Sequence, residues 1–201
     1  MSQLIESIKV SGNRLHNLSY HQRRMQRSCL ELFGTADHTV SFNDLQKEAL
    51  KLNNKTLYKL QITYDKISFE FKFLPYKLRS IKSIRVVEDA DVDYSHKFYN
   101  REKLNELFNK KGKADDILIT RNGALTDTYY CNVALKKNGQ WFTPDLPLLS
   151  GTKRQRLLDE LVISPKEIFF EDIPDYNSIT LFNAMIDLGD IVIPIENILL
   201  D

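Results

Sequence analysis

Two Asn-Gly pairs, Asn122-Gly123 and Asn138-Gly139, constrain the fold of this chain more than any other feature. Asparagine and glycine tolerate positive φ, so an Asn-Gly pair between β-type runs specifies a tight two-residue hairpin. The runs around Ile117, Cys131 and Trp141 flank these pairs, which predicts three successive antiparallel strands. Thr143-Pro144 stops the last of them, because proline has no N–H to give to a ladder. Gly151-Thr152-Lys153-Arg154 then starts a helix expected over 151–161. A chain punctuated in this way must build its C-terminal half on a sheet.

Upstream, Leu4, Ile8 and Val10 alternate with Ile5, Ser7 and Lys9, which predicts a strand with one break near its start. Ser11-Gly12-Asn13 supplies a turn, and 15–18 can return as a second strand. The spacing then becomes helical. Met25, Cys29, Leu32 and Phe33 share one face over 21–33, and Gly34 closes the helix. Ser41-Phe42-Asn43-Asp44 reads as the capped start of a helix carrying Leu45, Ala49, Leu50 and Leu52. Runs 56–64 and 67–73 form a hairpin about Asp65-Lys66, and 81–87 is another strand. The acidic, polar stretch 89–94 is the expected linker. Beyond it come a helix over 101–108 and, after the Asn-Gly region, strands at 168–170, 178–182 and 191–193. This is an α+β pattern in two domains, 1–89 and 90–201.

The 201 residues, 42% hydrophobic and 27% charged, suffice for one large domain or two small ones. With 28 basic and 27 acidic residues, no global charge favours nucleic acid or an anionic membrane, so any anion site must be local. Cys29 and Cys131 match neither a metal-ligand spacing nor a disulfide framework, which fits a reducing compartment. Glu6 and Lys9 interrupt the only early apolar run, so no N-terminal signal is expected. No apolar run nears the roughly 20 residues that span a bilayer. The expectation is a soluble cytoplasmic protein without nucleic-acid or membrane partners.

Four places could carry chemistry. At Leu149-Ser150-Gly151-Thr152-Lys153-Arg154, glycine allows close backbone approach, and the first helical N–H groups could hold a phosphate; an ordinary helix start reads the same way. Arg23, Arg24 and Arg27 are either a solvated face or include one arginine turned inward to an anion, with His21 and Arg24 three apart on one face. Lys97, between His96 and Phe98-Tyr99, is either a surface charge or a desolvated amine able to attack an aldehyde. Asp127 is either a strand-end residue or a carboxylate facing a ring nitrogen.

Taken in order, these places resemble the class IV pyridoxal-phosphate enzymes, which include branched-chain and D-amino-acid aminotransferases and aminodeoxychorismate lyase. The pattern reads His21-Gln22-Arg23-Arg24, Lys97, Gly123 through Thr126-Asp127 to Asn132, Thr143-Pro144, and Leu149 to Arg154. Asn183-Ala184-Met185 and Lys97-Phe98-Tyr99-Asn100-Arg101 resemble segments of the lyase branch. The resemblance implies a two-domain, D-amino-acid aminotransferase-like fold of type IV, in a compact version with a trimmed N-terminus. It implies pyridoxal 5'-phosphate as cofactor, a small-molecule amino substrate and a homodimer. It makes Lys97 the Schiff-base lysine and catalytic group. Arg24, with Gly151, Thr152 and Lys153, would hold the phosphate, Asp127 would face the pyridine nitrogen, and Asn132 would complete the strand-pair motif. Arg101 and Asn183 become substrate-side candidates.

Two departures stand out. Asp127 occupies a glutamate position, and the family's opening Tyr-Gly-Asp-Gly-x-Phe-Glu segment is reduced to Leu4-Ile5-Glu6-Ser7. The implied activity is conversion of 4-amino-4-deoxychorismate to 4-aminobenzoate and pyruvate in folate biosynthesis. The alternatives are aminotransfer to or from branched-chain or D-amino acids, and a cofactor-binding member that no longer catalyses.

Overall fold

The computed structural model describes residues 3–36 and 40–200. The described chain divides into two compact units. One takes the residues through Leu78 together with His96–Asn100, and the other takes Arg79–Ser95 and the residues from Arg101 onward.

The first unit opens with β1 (Leu4–Ser11) and β2 (Arg14–Leu15), followed by α1 (Leu18–Phe33) and α2 (Phe42–Ala49). A hairpin of β3 (Tyr58–Tyr64) and β4 (Phe69–Pro75) completes a four-stranded antiparallel sheet in the order β2-β1-β3-β4. Strict alternation along β1 buries Leu4, Glu6, Ile8 and Val10, and β3 adds Leu60, Ile62 and Tyr64 to the same core. Met25 and Cys29 from α1, with Leu45 and Ala49 from α2, close that core. Fully burying each such Leu, Ile or Met contributes about 1.5–3 kcal/mol. The returning strand expected over 15–18 ends at Leu15, because Asn17 turns into the left-handed region at φ 55° and α1 begins at Leu18. The second helix likewise stops at Ala49, leaving Leu50 exposed rather than on its apolar face.

The second unit contains β5 (Ile84–Glu88), α3 (Glu102–Asn109), β6 (Asp116–Arg121), β7 (Ala124–Thr128), β8 (Asn132–Lys137) and β9 (Gln140–Pro144). After α4 (Thr152–Asp159) come β10 (Ser164–Lys166), β11 (Ser178–Phe182), β12 (Val192–Pro194) and β13 (Ile198–Leu199). These nine strands form one mixed sheet, ordered β10-β9-β8-β7-β6-β5-β13, with β11 along the other edge of β8 and β12 on β11. Both Asn-Gly pairs form hairpin turns with two consecutive positive φ values, 52° and 78° at Asn122-Gly123 and 51° and 80° at Asn138-Gly139. Glu88 secures the first of these, accepting the Asn122 N–H at 2.7 Å and the Gly123 N–H at 3.2 Å. The expected strand at 168–170 is reduced to a bridge between Phe169 and Ala124, after which Phe170–Asp175 winds into a 3-10 turn containing Pro174.

Strand pairing and chain contacts cross the position of Asp89. β5 pairs in parallel with β6 and so belongs with the second unit, while the residues around Lys97 pair with β1 and belong with the first. Among the described residues no helix is long and apolar enough to cross a membrane, and no group of His, Cys, Asp and Glu side chains could hold a metal ion.

Candidate active site

In the first unit the chemistry gathers around Glu6. The alternation of β1 turns its carboxylate into the core, where it is fully buried. One helical turn of α1 brings His21 and Arg24 to it. Arg24 donates from Nε to Oε1 at 2.7 Å and from Nη2 to Oε2 at 2.6 Å, while His21 Nδ1 lies 2.7 Å from Oε2. Burial pushes the Glu6 carboxyl up, but the Arg24 charge, then His21 and the hydrogen bonds of both, outweigh it and hold the group well below the usual carboxylate range. Burial drives His21 down more than Glu6 raises it, and the charges of Arg24 and Lys97 add to the depression. The imidazole is therefore neutral near pH 7. Because ionised Glu6 only accepts, Nδ1 carries the proton of that bond.

Lys97 reaches this unit through its backbone. Its carbonyl accepts the Ile5 N–H at 2.9 Å, Phe98 bridges Leu4, and the Tyr99 N–H donates to Gln3 at 2.8 Å. The segment thus extends the β1 edge beside the strand that carries Glu6. His96 adds a side-chain tie to Glu31 at 2.8 Å. Arg24 spends Nε and Nη2 on Glu6, which leaves Nη1 outside that bidentate pair.

In the second unit Asp127 lies on an irregularity. Leu118 opposes Thr128 and Thr120 opposes Leu125, so Thr126 and Asp127 together face Ile119 in a β-bulge. A bulge re-aims side chains and interrupts alternation. Leu125 through Thr128 are accordingly all buried. The Thr126 hydroxyl ties the bulge down by donating to the Ile119 carbonyl at 2.7 Å. Asp127 Oδ1 accepts from Asn132 Nδ2 at 2.7 Å and Oδ2 accepts the Leu149 N–H at 2.9 Å. Burial is the largest influence and pushes this carboxyl up to about 7, against those hydrogen bonds and the Arg154 charge.

Asn132 joins the strands to the start of α4. Its Nδ2 also donates to the Leu149 carbonyl at 2.9 Å, and its Oδ1 fills the space that a Cβ on Gly151 would need. Glycine is required at 151 for this approach and not for its backbone angles, since φ is an ordinary −66°. Thr152, Lys153 and Arg154 are all buried in the first turn of α4. Lys153 pairs with Asp187, and Arg154 donates to the Pro144 carbonyl at 2.8 Å and the Thr143 hydroxyl at 3.4 Å. The Thr-Pro stop therefore also anchors the helix start.

The second unit thus assembles Asp127, Asn132, Gly151, Thr152 and Lys153, while Lys97 and Arg24 stand together in the first. Arg101 and Asn183 also lie in the second unit, where both donate to the loop linking Asp127 to Asn132. Three acids escaped the reading of the sequence. Glu6 had a usable signal, since it falls on the apolar face of an alternating strand. Asp187, the partner of Lys153, and Asp116, buried at the start of β6, had none.

The family model described as amino-transferase class IV matches residues 3–193. The chain belongs to the class IV aminotransferases. An uncharacterized protein of Haemophilus influenzae is 32% identical over 186 residues, covering 92% of this chain and 98% of its own length. Among solved structures, a Haemophilus somnus 129PT protein provisionally named a 4-amino-4-deoxychorismate lyase superposes with a TM-score of 0.88 at 34% identity, covering 94% of this chain and 98% of that one. A Mesorhizobium loti protein provisionally named an amino-acid aminotransferase has a TM-score of 0.82 at 20% identity, over 96% and 99% of the two chains. The fold is therefore that of type IV, and the class IV family is one of pyridoxal-phosphate-dependent enzymes, lyases and aminotransferases alike.

Proposed function

We propose that this class IV enzyme binds pyridoxal 5'-phosphate and converts 4-amino-4-deoxychorismate to 4-aminobenzoate and pyruvate, the aminobenzoate serving folate synthesis. The observation carrying the cofactor reading is the buried Asp127–Asn132 pair on its bulge, packed onto the glycine that starts α4. The chemistry of the residues suits the group: the second unit offers a buried carboxyl raised to about 7 for a ring nitrogen and the N–H groups of a helix start for a phosphate, and the first offers the Lys97 amine for an aldehyde. When bound, the cofactor supplies an electron sink for charge developing on the substrate carbon.

The protein's residues do the rest. Lys97 would hold the cofactor through its amine and would serve as the base for the proton on the carbon bearing nitrogen. Asp127, held by Asn132, would face the ring nitrogen and keep a proton there. Arg24, held by Glu6 in the first unit, and the Gly151, Thr152 and Lys153 turn in the second are the groups that would hold the phosphate. The substrate assignment leans on the Lys97-Phe98-Tyr99-Asn100-Arg101 segment and on the likeness to the Haemophilus somnus protein. The family's name favours a second reading, aminotransfer on branched-chain or D-amino acids.

Purified protein is expected to take up pyridoxal phosphate with a visible absorbance band that borohydride fixes onto Lys97 and that Lys97→Ala lacks. Pyruvate release from enzymatically made aminodeoxychorismate then supports the lyase. Formation of 2-oxo acids from an amino-acid panel, without that release, replaces it with the aminotransferase, and a protein that binds no cofactor overturns both. The proposal extends to a cytoplasmic homodimer, checked by light scattering of the purified protein.

A further inference from the structure

The loop from Thr128 to Cys131 connects the two residues of the Asp127–Asn132 pair, and its polar groups are held from several sides. The Tyr129 carbonyl accepts from Arg101 Nη2, and the buried Asp116 carboxylate lies near the loop, where the Tyr129 backbone and the Thr128 side chain work against the rise that burial gives it. The next carbonyl, of Tyr130, accepts from Asn183 Nδ2 at 3.3 Å, and the same amide nitrogen lies 3.3 Å from Cys131 Sγ. Within the loop, the Cys131 N–H donates to Thr128 Oγ1 at 3.1 Å and the Thr128 N–H to the Cys131 carbonyl at 2.8 Å.

Most polar groups of Arg101 and Asn183 are engaged within the protein. Arg101 Nη1 donates to the Tyr94 hydroxyl at 3.2 Å, its Nε is buried without a hydrogen-bond partner among the described residues, and its guanidinium lies 4.7 to 5.3 Å from the ring centroids of Tyr94, Tyr129 and Tyr130. Asn183 Oδ1 accepts the N–H groups of Met185 and Ile186 at 2.8 and 3.1 Å. The Tyr129 ring stacks on Phe108 from α3 at 4.4 Å, and its hydroxyl donates to Asn105. A guanidinium enclosed this way acts on its surroundings through the carbonyl it grips.

We propose that Arg101 and Asn183 form a clamp on the Tyr129–Cys131 loop, and that these two are positioning residues which set the separation of Asp127 from Asn132. They do not meet the substrate. The clamp is a property of the folded chain alone, whereas its effect on turnover rests on the proposed function.

The test uses the full chain with and without added pyridoxal phosphate. Without cofactor, Arg101→Met and Asn183→Ala are expected to raise hydrogen exchange at the Thr128 and Cys131 amides at least about tenfold while α1 and β3 stay protected. With cofactor, both variants are expected to lower kcat about tenfold or more at unchanged KM, as loss of transition-state positioning requires. Should Arg101→Met not fold, Asn183→Asp, which exchanges the Nδ2 donor for an oxygen at nearly unchanged volume and keeps an acceptor for Met185 and Ile186, decides by the same two readings. Unchanged exchange in the loop overturns the clamp, and so does a raised KM at unchanged kcat, which would place these side chains on the substrate. If the wild-type chain takes up no cofactor, the proposed function falls while the exchange result still decides the clamp.

Discussion

Glu6 holds two cationic or potentially cationic side chains with one carboxylate, in a core that excludes water. Removing one member of such a buried pair leaves an uncompensated charge, which typically costs about 3–5 kcal/mol. Glu6→Gln, nearly isosteric, is expected to destabilise the protein by that order in urea titrations, and adding Arg24→Met should recover most of the loss. Full stability in the single variant would mean that the pair contributes nothing. The acids also set how stability varies with pH. Asp127 is raised to about 7 and Asp116 to about 6, so between about pH 4 and those values the folded chain binds more protons than the unfolded one. Their joint contribution makes stability fall as pH rises from about 4 to about 7 and level off above. Glu6 works the other way, since its depressed carboxyl adds stability that is present above its ordinary value and lost in strong acid. Asp127→Asn should remove the downward contribution of Asp127 to the slope between about pH 6 and 7, leaving the remaining contribution of Asp116 and the opposite one of the depressed His21. Thermal melts of variant and wild type across that range would record the difference.

At the scale of elements, turn chemistry was legible where the residues that make it are neighbours. Asn122-Gly123 and Asn138-Gly139 specify their hairpins outright, and Ser178–Phe182 appears as read. Elements defined by distant partners were not legible. β13 is two residues long and exists only because Ile198 and Leu199 meet Ile84 and Arg85 in parallel. The bulge that aims Asp127 depends on the count of residues across β6 and β7, which no single strand reveals. One helix end breaks the usual chemistry. α4 closes with the Leu161 N–H on the Leu158 carbonyl at 3.0 Å and the Val162 N–H on the Leu157 carbonyl at 2.9 Å, a double closure normally made around a left-handed glycine. Leucine sits there instead, at φ 57° and almost wholly exposed. Leu161→Gly should relieve that strain and stabilise the protein by about 1 kcal/mol, seen as a higher urea midpoint at unchanged slope.

For the whole molecule, the ordered motifs from His21 to Arg154 gave the family, because each weak signal constrains the next. They did not give the partition of the chain. Composition drew the boundary at the acidic stretch 89–94, whereas strand pairing assigns residues 79–95 and 96–100 to different units. Backbone pairing to Leu4 and Ile5 carries no compositional mark, so the placement of Lys97 beside β1 could not be read from its neighbours.

That pairing has a practical consequence for anyone who would divide the protein. The chain leaves the first unit at Leu78 and returns for only the five residues that bear Lys97. Strand order in space and residue order along the gene are therefore out of step, and no single cut yields an intact first unit. A fragment ending at Leu78 would present the bare backbone of Gln3, Leu4 and Ile5 where 97–99 had lain. Such an unpaired sheet edge invites self-association, so this fragment should sediment as oligomers, and adding a peptide spanning 95–101 should return it toward a single species. The lysine on which the proposed chemistry turns is, in this sense, also a strand the first unit borrows to finish its own sheet.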